Sequence, residues 1–206
     1  PLGLELAAAG LRAVALDLPS HGDAPRRAST PQRWIDGVGR AMEALGPLSG
    51  LVTHSMGVGP SLIALGAGRQ PERMVAISPP SAMEPRMRTA ARRIGVTGRA
   101  GAAFARRSTA RIVAHGGAAD FAALARRFAP PLLVLHAPDD AVVAIEEGQR
   151  LAAAAAEGRF LETGAHGHFR ILREAQTLRA VRDFLCPLGN ADCPPPVAAP
   201  GSPAER

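Results

Sequence analysis

Along the chain, short unbroken apolar runs alternate with longer stretches in which apolar residues return every three or four positions. The runs lie at 11–19 (L-R-A-V-A-L-D-L-P), 48–54, 73–78 (R-M-V-A-I-S), 131–136 (P-L-L-V-L-H) and 159–163 (R-F-L-E-T). Runs this short and this apolar predict strands, the one at 11–19 a parallel strand buried on both faces and the one at 131–136 a buried one. Between them the spacing turns helical. Thr30 and Pro31 supply an N-cap and a first helical residue with preset φ, and Trp34, Ile35, Val38, Met42 and Leu45 then share one face until Gly46 and Pro47 end it. Small and apolar residues after Ser55 predict a helix to about residue 66, and further helices are expected at 146–156 and 174–185. The last of these places Leu178, Val181, Phe184 and Leu185 on one face. Residues 2–9 read as the closing turns of a helix stopped by Gly10, so the chain is expected to open within an element.

Strands alternating with helices predict an α/β fold, a mostly parallel sheet with helices on both faces. From 83 to 127 the composition shifts to Ala and Arg with few acids, which predicts a small helical cap inserted between core strands. The expected organisation is core at 1–78, cap at 79–128, core again at 129–186 and a disordered tail at 187–206, where C-P-P-P-V-A-A-P-G-S-P offers too little apolar surface to fold.

Composition narrows the partners. With 47% hydrophobic residues and 3% aromatic ones, the core must rest on Ala, Val, Leu and Ile, with Phe128, Phe160 and Phe184 as expected large anchors. The net charge of +6 is carried entirely by Arg, with no Lys and no recognisable nucleic-acid module, so it reads as compositional bias and no nucleic-acid partner is expected. No apolar run reaches the roughly eighteen residues of a membrane span. Cys186 and Cys193 suggest neither a disulfide framework nor a zinc site, and a reducing cytoplasm is the default expectation. His21 and His115 lack partners at metal spacing, and no metal is expected.

In a parallel sheet, reactive groups gather beyond the carboxyl ends of the strands. Three such loops here each deliver one: Ser55 after 48–54, Asp139 or Asp140 after 131–136, and His166 or His168 after 159–163. A serine hydroxyl becomes a useful nucleophile when an imidazole accepts its proton and a carboxylate orients that imidazole. Each residue alone is ordinary loop chemistry; all three in chain order are more than that. His54, adjacent to Ser55, should point away from it and reads as structural. The arginines of the cap, Arg92 and Arg93 among them, read first as a solvated helix face and second as a clamp for acidic substrates.

At this point the sequence resembles the α/β-hydrolase superfamily, whose order of Ser, then acid, then His it matches. D-L-P-S-H-G (17–22) is similar to the D-x-P-G-H-G loop, and T-H-S-M-G to the nucleophile turn, which implies Ser55 as nucleophile and the Met56 N–H as an oxyanion donor. H-A-P-D-D-A-V-V (136–143) resembles the acid loop and favours Asp140 over Asp139. G-A-H-G-H-F-R-I-L (164–172) resembles the histidine loop and favours His168 over His166. Thr53 departs from the family by replacing the first glycine of the turn. The family's first strands, and the H-G turn that carries a second oxyanion donor, have no counterpart in these residues. The resemblance therefore implies a partial, N-terminally truncated α/β-hydrolase fold in which a strand is missing between those ending at Asp17 and His54. The implied function is a serine hydrolase that cleaves an ester or thioester without a cofactor, its partner a small-molecule ester or acyl substrate. Acyl transfer on the same fold and a degenerate binding module are the alternatives. With one oxyanion donor lost, this chain is expected to be nearly inactive and a longer parent active.

Overall fold

The computed structural model describes residues 1–24, 30–66 and 70–186; the tail at 187–206, Cys193 included, lies outside the described residues. Four strands, β1 (Leu51–His54), β2 (Met74–Ile77), β3 (Leu132–His136) and β4 (Gly158–Glu162), form one parallel sheet in chain order. His54 pairs with Ile77, Ile77 with Leu135 and Leu135 with Leu161, so the strands finish nearly level and their following loops share one edge.

Period-two alternation divides the core. Met74, Ala76, Leu132 and Val134 face one side, where they pack with Val38 and Met42 of α2 (Pro31–Leu45), Val58 and Leu62 of α3 (Val58–Gly66) and Leu151 of α7 (Ile145–Ala154). Val75, Ile77, Leu133 and Leu135 face the other, against Leu6 of α1 (Leu2–Ala8) and Val181 and Leu185 of α9 (Ala175–Leu185). The helix ends follow their local chemistry. Thr30 accepts a hydrogen bond from the Arg33 N–H, Pro31 opens α2, and Gly46 closes it at φ 78°. Glu174 caps α9 by accepting from the N–H groups of Gln176 and Thr177.

Between β2 and β3 lie α4 (Met83–Arg93), α5 (Gly98–Ala114) and α6 (Phe121–Ala125). The start of α4 and the start of α6 are tied together by an antiparallel bridge between Ala82 and Asp120 and by hydrogen bonds from Met83 N to Ala119 O and from Phe121 N to Ser81 O.

Three expectations are corrected. Residues 11–18 form no strand: Val14 and Leu16 are exposed, and the segment has no ladder partner among the described residues. An apolar run becomes a strand only where a neighbour satisfies its backbone, and β1 is an edge strand bonded to β2 alone. Second, Phe121 is a deeper anchor than Phe160 or Phe184, fully buried where it lies against Gly59; a Cβ on Gly59 would stand 2.7 Å from its ring. Third, Cys186 is disulfide-bonded, although residue spacing suggested no disulfide framework.

Candidate active site

β1 ends at His54, and Ser55–Gly57 make a single tight turn before α3 begins. Ser55 sits at φ 52°, in the left-handed region that residues with a Cβ seldom adopt. Such strain at a strand-to-helix turn lifts the side chain clear of the sheet. Thr53 fits this turn: it is buried, its hydroxyl donates to the Val75 carbonyl at 3.3 Å, and a Cβ built on Gly57 would still be 3.8 Å from the Thr53 Cβ. The β-branch of Thr53 is turned into the sheet.

His168 lies in the short helix α8 (Gly167–Arg170), and its side chain joins two distant loops. Its Nε2 is 3.0 Å from Ser55 Oγ and its Nδ1 is 2.8 Å from Asp140 Oδ2. A carboxylate only accepts, so Nδ1 carries the proton and Nε2 presents its lone pair to the serine hydroxyl. Asp140 is buried, its side chain 1% exposed, and Oδ1 accepts from the N–H groups of Val142 at 2.8 Å and Val143 at 2.9 Å. Burial alone would raise its carboxyl. The nearby imidazoles of His136 and His168 and the two backbone donors outweigh that and hold it far below the usual carboxylate range.

The neighbours of these residues have other partners. Asp139 accepts from the Gly167 N–H at 2.7 Å and so fastens the histidine loop from outside. His166 is the N-cap of α8, and its backbone N–H turns to the Gly164 carbonyl. His54 is 2.9 Å through Nε2 from the His168 carbonyl, bracing the backbone that carries His168; burial foremost lowers its pKa. Sequence reasoning missed two groups. His136 is buried at the end of β3 beside Asp140, although it stood four positions ahead of that residue in the quoted loop. Arg86 of α4 reaches back to the core, pairing with Glu147 at 2.7 Å and donating to the Val142 carbonyl; nothing in its arginine-rich surroundings marked it out. Arg92 and Arg93, by contrast, are exposed.

Met56, expected to offer its N–H to an oxyanion, also helps line a cavity of about 360 Å³ between α2, α3, α4 and α5. Its wall includes Trp34, Ile35, Ile63, Met87 and Phe121. Among the described residues no group of three or more His, Cys, Asp or Glu could hold a metal ion, and no helix is long and apolar enough to cross a membrane.

Comparison with solved structures fits this geometry into a known architecture. The chain is similar to a monoacylglycerol lipase from Paleococcus ferrophilus with a TM-score of 0.64 and 18% identity, covering 89% of this chain and 86% of that one. A bromoperoxidase from Bacillus anthracis matches with a TM-score of 0.61 and 16% identity, over 82% and 79% of the two chains. A meta-cleavage product hydrolase from Pseudomonas fluorescens matches at 0.60 and 17%, over 82% and 77%. These are α/β-hydrolase folds, and this chain has that fold. No protein-family model and no curated protein matches it significantly.

Proposed function

We propose that the chain is a serine hydrolase that cleaves an ester or thioester through an acyl-serine intermediate on Ser55. The observation that carries this reading is the unbroken hydrogen-bonded series from Ser55 Oγ through His168 to Asp140, reached from three separate loops. Ser55 Oγ attacks the carbonyl carbon as its proton passes to His168 Nε2. Asp140 stabilises the imidazolium. The tetrahedral oxyanion takes the Met56 N–H, then collapses, and His168 returns the proton to the departing alcohol or thiol. Water repeats the sequence: His168 takes its proton, the acyl group leaves as the acid, and Ser55 is restored. The apolar cavity beside Met56 favours an acyl or alcohol part with hydrocarbon character. With the Met56 N–H the one oxyanion donor assigned among the described residues, turnover is expected to be slow, since a site working with one donor of a pair loses roughly 10² to 10³ fold.

Covalent labelling is therefore the sensitive test. A fluorophosphonate should label Ser55, located by peptide mass mapping, while Ser55→Ala abolishes the label and His168→Ala slows it by at least about 10³ fold. Labelling spread over other serines, or an unlabelled chain, would remove the hydrolase reading and favour a binding module.

A further inference from the structure

We infer that His136 is a positioning residue for this reaction, a buried imidazole that holds the turn from Asp140 to Val143 and so keeps the Asp140 carboxylate on His168. The inference rests on the reading of Ser55, His168 and Asp140 as the reacting groups. The rest of β3 is Leu-Leu-Val-Leu, and every residue of the strand is buried, so a polar ring at its last position is out of pattern. Burying such a ring costs free energy unless its polar atoms are used.

One of them is used twice. His136 Nε2 is 3.0 Å from the Val143 carbonyl and 3.4 Å from Asp140 Oδ2. Both are acceptors, so Nε2 carries the proton. Nδ1 has no hydrogen-bond partner among the described residues and lies against α7 at Gly148, where a Cβ would come within 2.4 Å of it. The ring is thus seated by the missing side chain of one residue and aimed at both ends of the acid turn. The other charged groups around it are already engaged: Glu147 of α7 is bonded to Arg86 and Ser81, and His168 donates to the same Asp140 oxygen, Oδ2. If the turn loosens, Asp140 withdraws from His168 and the imidazole loses its tautomer and its aim at Ser55. A displacement near 1 Å at a reacting group costs up to about 10² fold in rate.

The test uses fluorophosphonate labelling of the full chain, resolved into a limiting rate constant and a half-saturating concentration. His136→Phe keeps the ring but removes the donor, and should lower the limiting rate constant about 10 to 100 fold with half-saturation unchanged. His136→Gln places an amide N–H near the position of Nε2 and should recover most of the rate. Gly148→Ala touches none of the reacting residues, yet by displacing the ring it should behave like His136→Phe. Cooperative melting checks each variant's fold; should His136→Phe fail to fold, Gly148→Ala and His136→Gln decide. Wild-type labelling by folded His136→Phe or Gly148→Ala, or a His136→Gln variant as slow as His136→Phe, overturns the inference. His168→Ala in the same series separates the two readings: its loss of labelling beside an unaffected His136→Phe removes only the role of His136, whereas unchanged labelling of His168→Ala removes both.

Discussion

Asp139 and Asp140 are neighbours in sequence with unlike surroundings. Asp140 is buried and gathers four donors, whereas Asp139 spends one oxygen on a backbone N–H of the histidine loop. If Asp140 is the acid of the triad, Asp140→Asn should lower the labelling rate by about 10⁴ fold, because an amide in its place favours the wrong histidine tautomer. Asp139→Ala removes one hydrogen bond that orients the loop and should cost no more than about tenfold. Rates that fell equally would contradict the division. The alternatives 139 or 140 and 166 or 168 could not be separated from residue types, since each pair offers the same chemical group twice. The choice is made by direction, and direction comes from the turn that Val142 and Val143 close and from the start of α8.

At the scale of elements, those with local punctuation stand where the sequence places them. Thr30 and Pro31 open α2, Gly46 closes it, and the four runs from β1 to β4 become strands within a few residues of their expected ends. The run at 11–18 has the same composition and does not, because strand identity depends on a partner that the run itself cannot supply. The link between α4 and α7 was equally hidden. Arg86 and Glu147 are 11% and 10% exposed, so Arg86→Ala leaves a buried carboxylate without its counter-charge, held by Ser81 alone, and should destabilise the fold by up to about 3 to 5 kcal/mol in chemical denaturation. Replacing both by Met and Leu should recover part of that loss. An Arg86→Ala variant as stable as its parent would show that Glu147 is reached by water.

For the whole molecule, the buried site predicts a direction for acid sensitivity. The Asp140 carboxyl is held below its ordinary range, so the folded state binds fewer protons there than the unfolded chain. Its contribution is full above about pH 4 and is lost as pH falls toward the depressed folded value. The His54 pKa is lowered, chiefly by burial, so the unfolded chain protonates first as pH drops below about 6.5 and stability falls in that window too. Melting temperature should therefore decline from pH 7 to 3, with Asp140→Asn flattening the decline below about pH 4. A melting temperature that rose on acidification would show that other groups dominate.

The sequence by itself determined the α/β alternation, the helix caps and the three loops that carry Ser, Asp and His, because these follow from periodicity and from backbone preferences that act over a few residues. Tertiary structure, beyond what the family resemblance favoured, brought His168 to Ser55 and Asp140 to His168, turned Thr53 into the sheet, and left residues 11–18 outside it. It also placed His136 and Arg86 around the acid turn. The reason is distance along the chain: Ser55 and His168 are separated by 113 positions, and contact between such groups is set by sheet register and helix packing rather than by either segment alone.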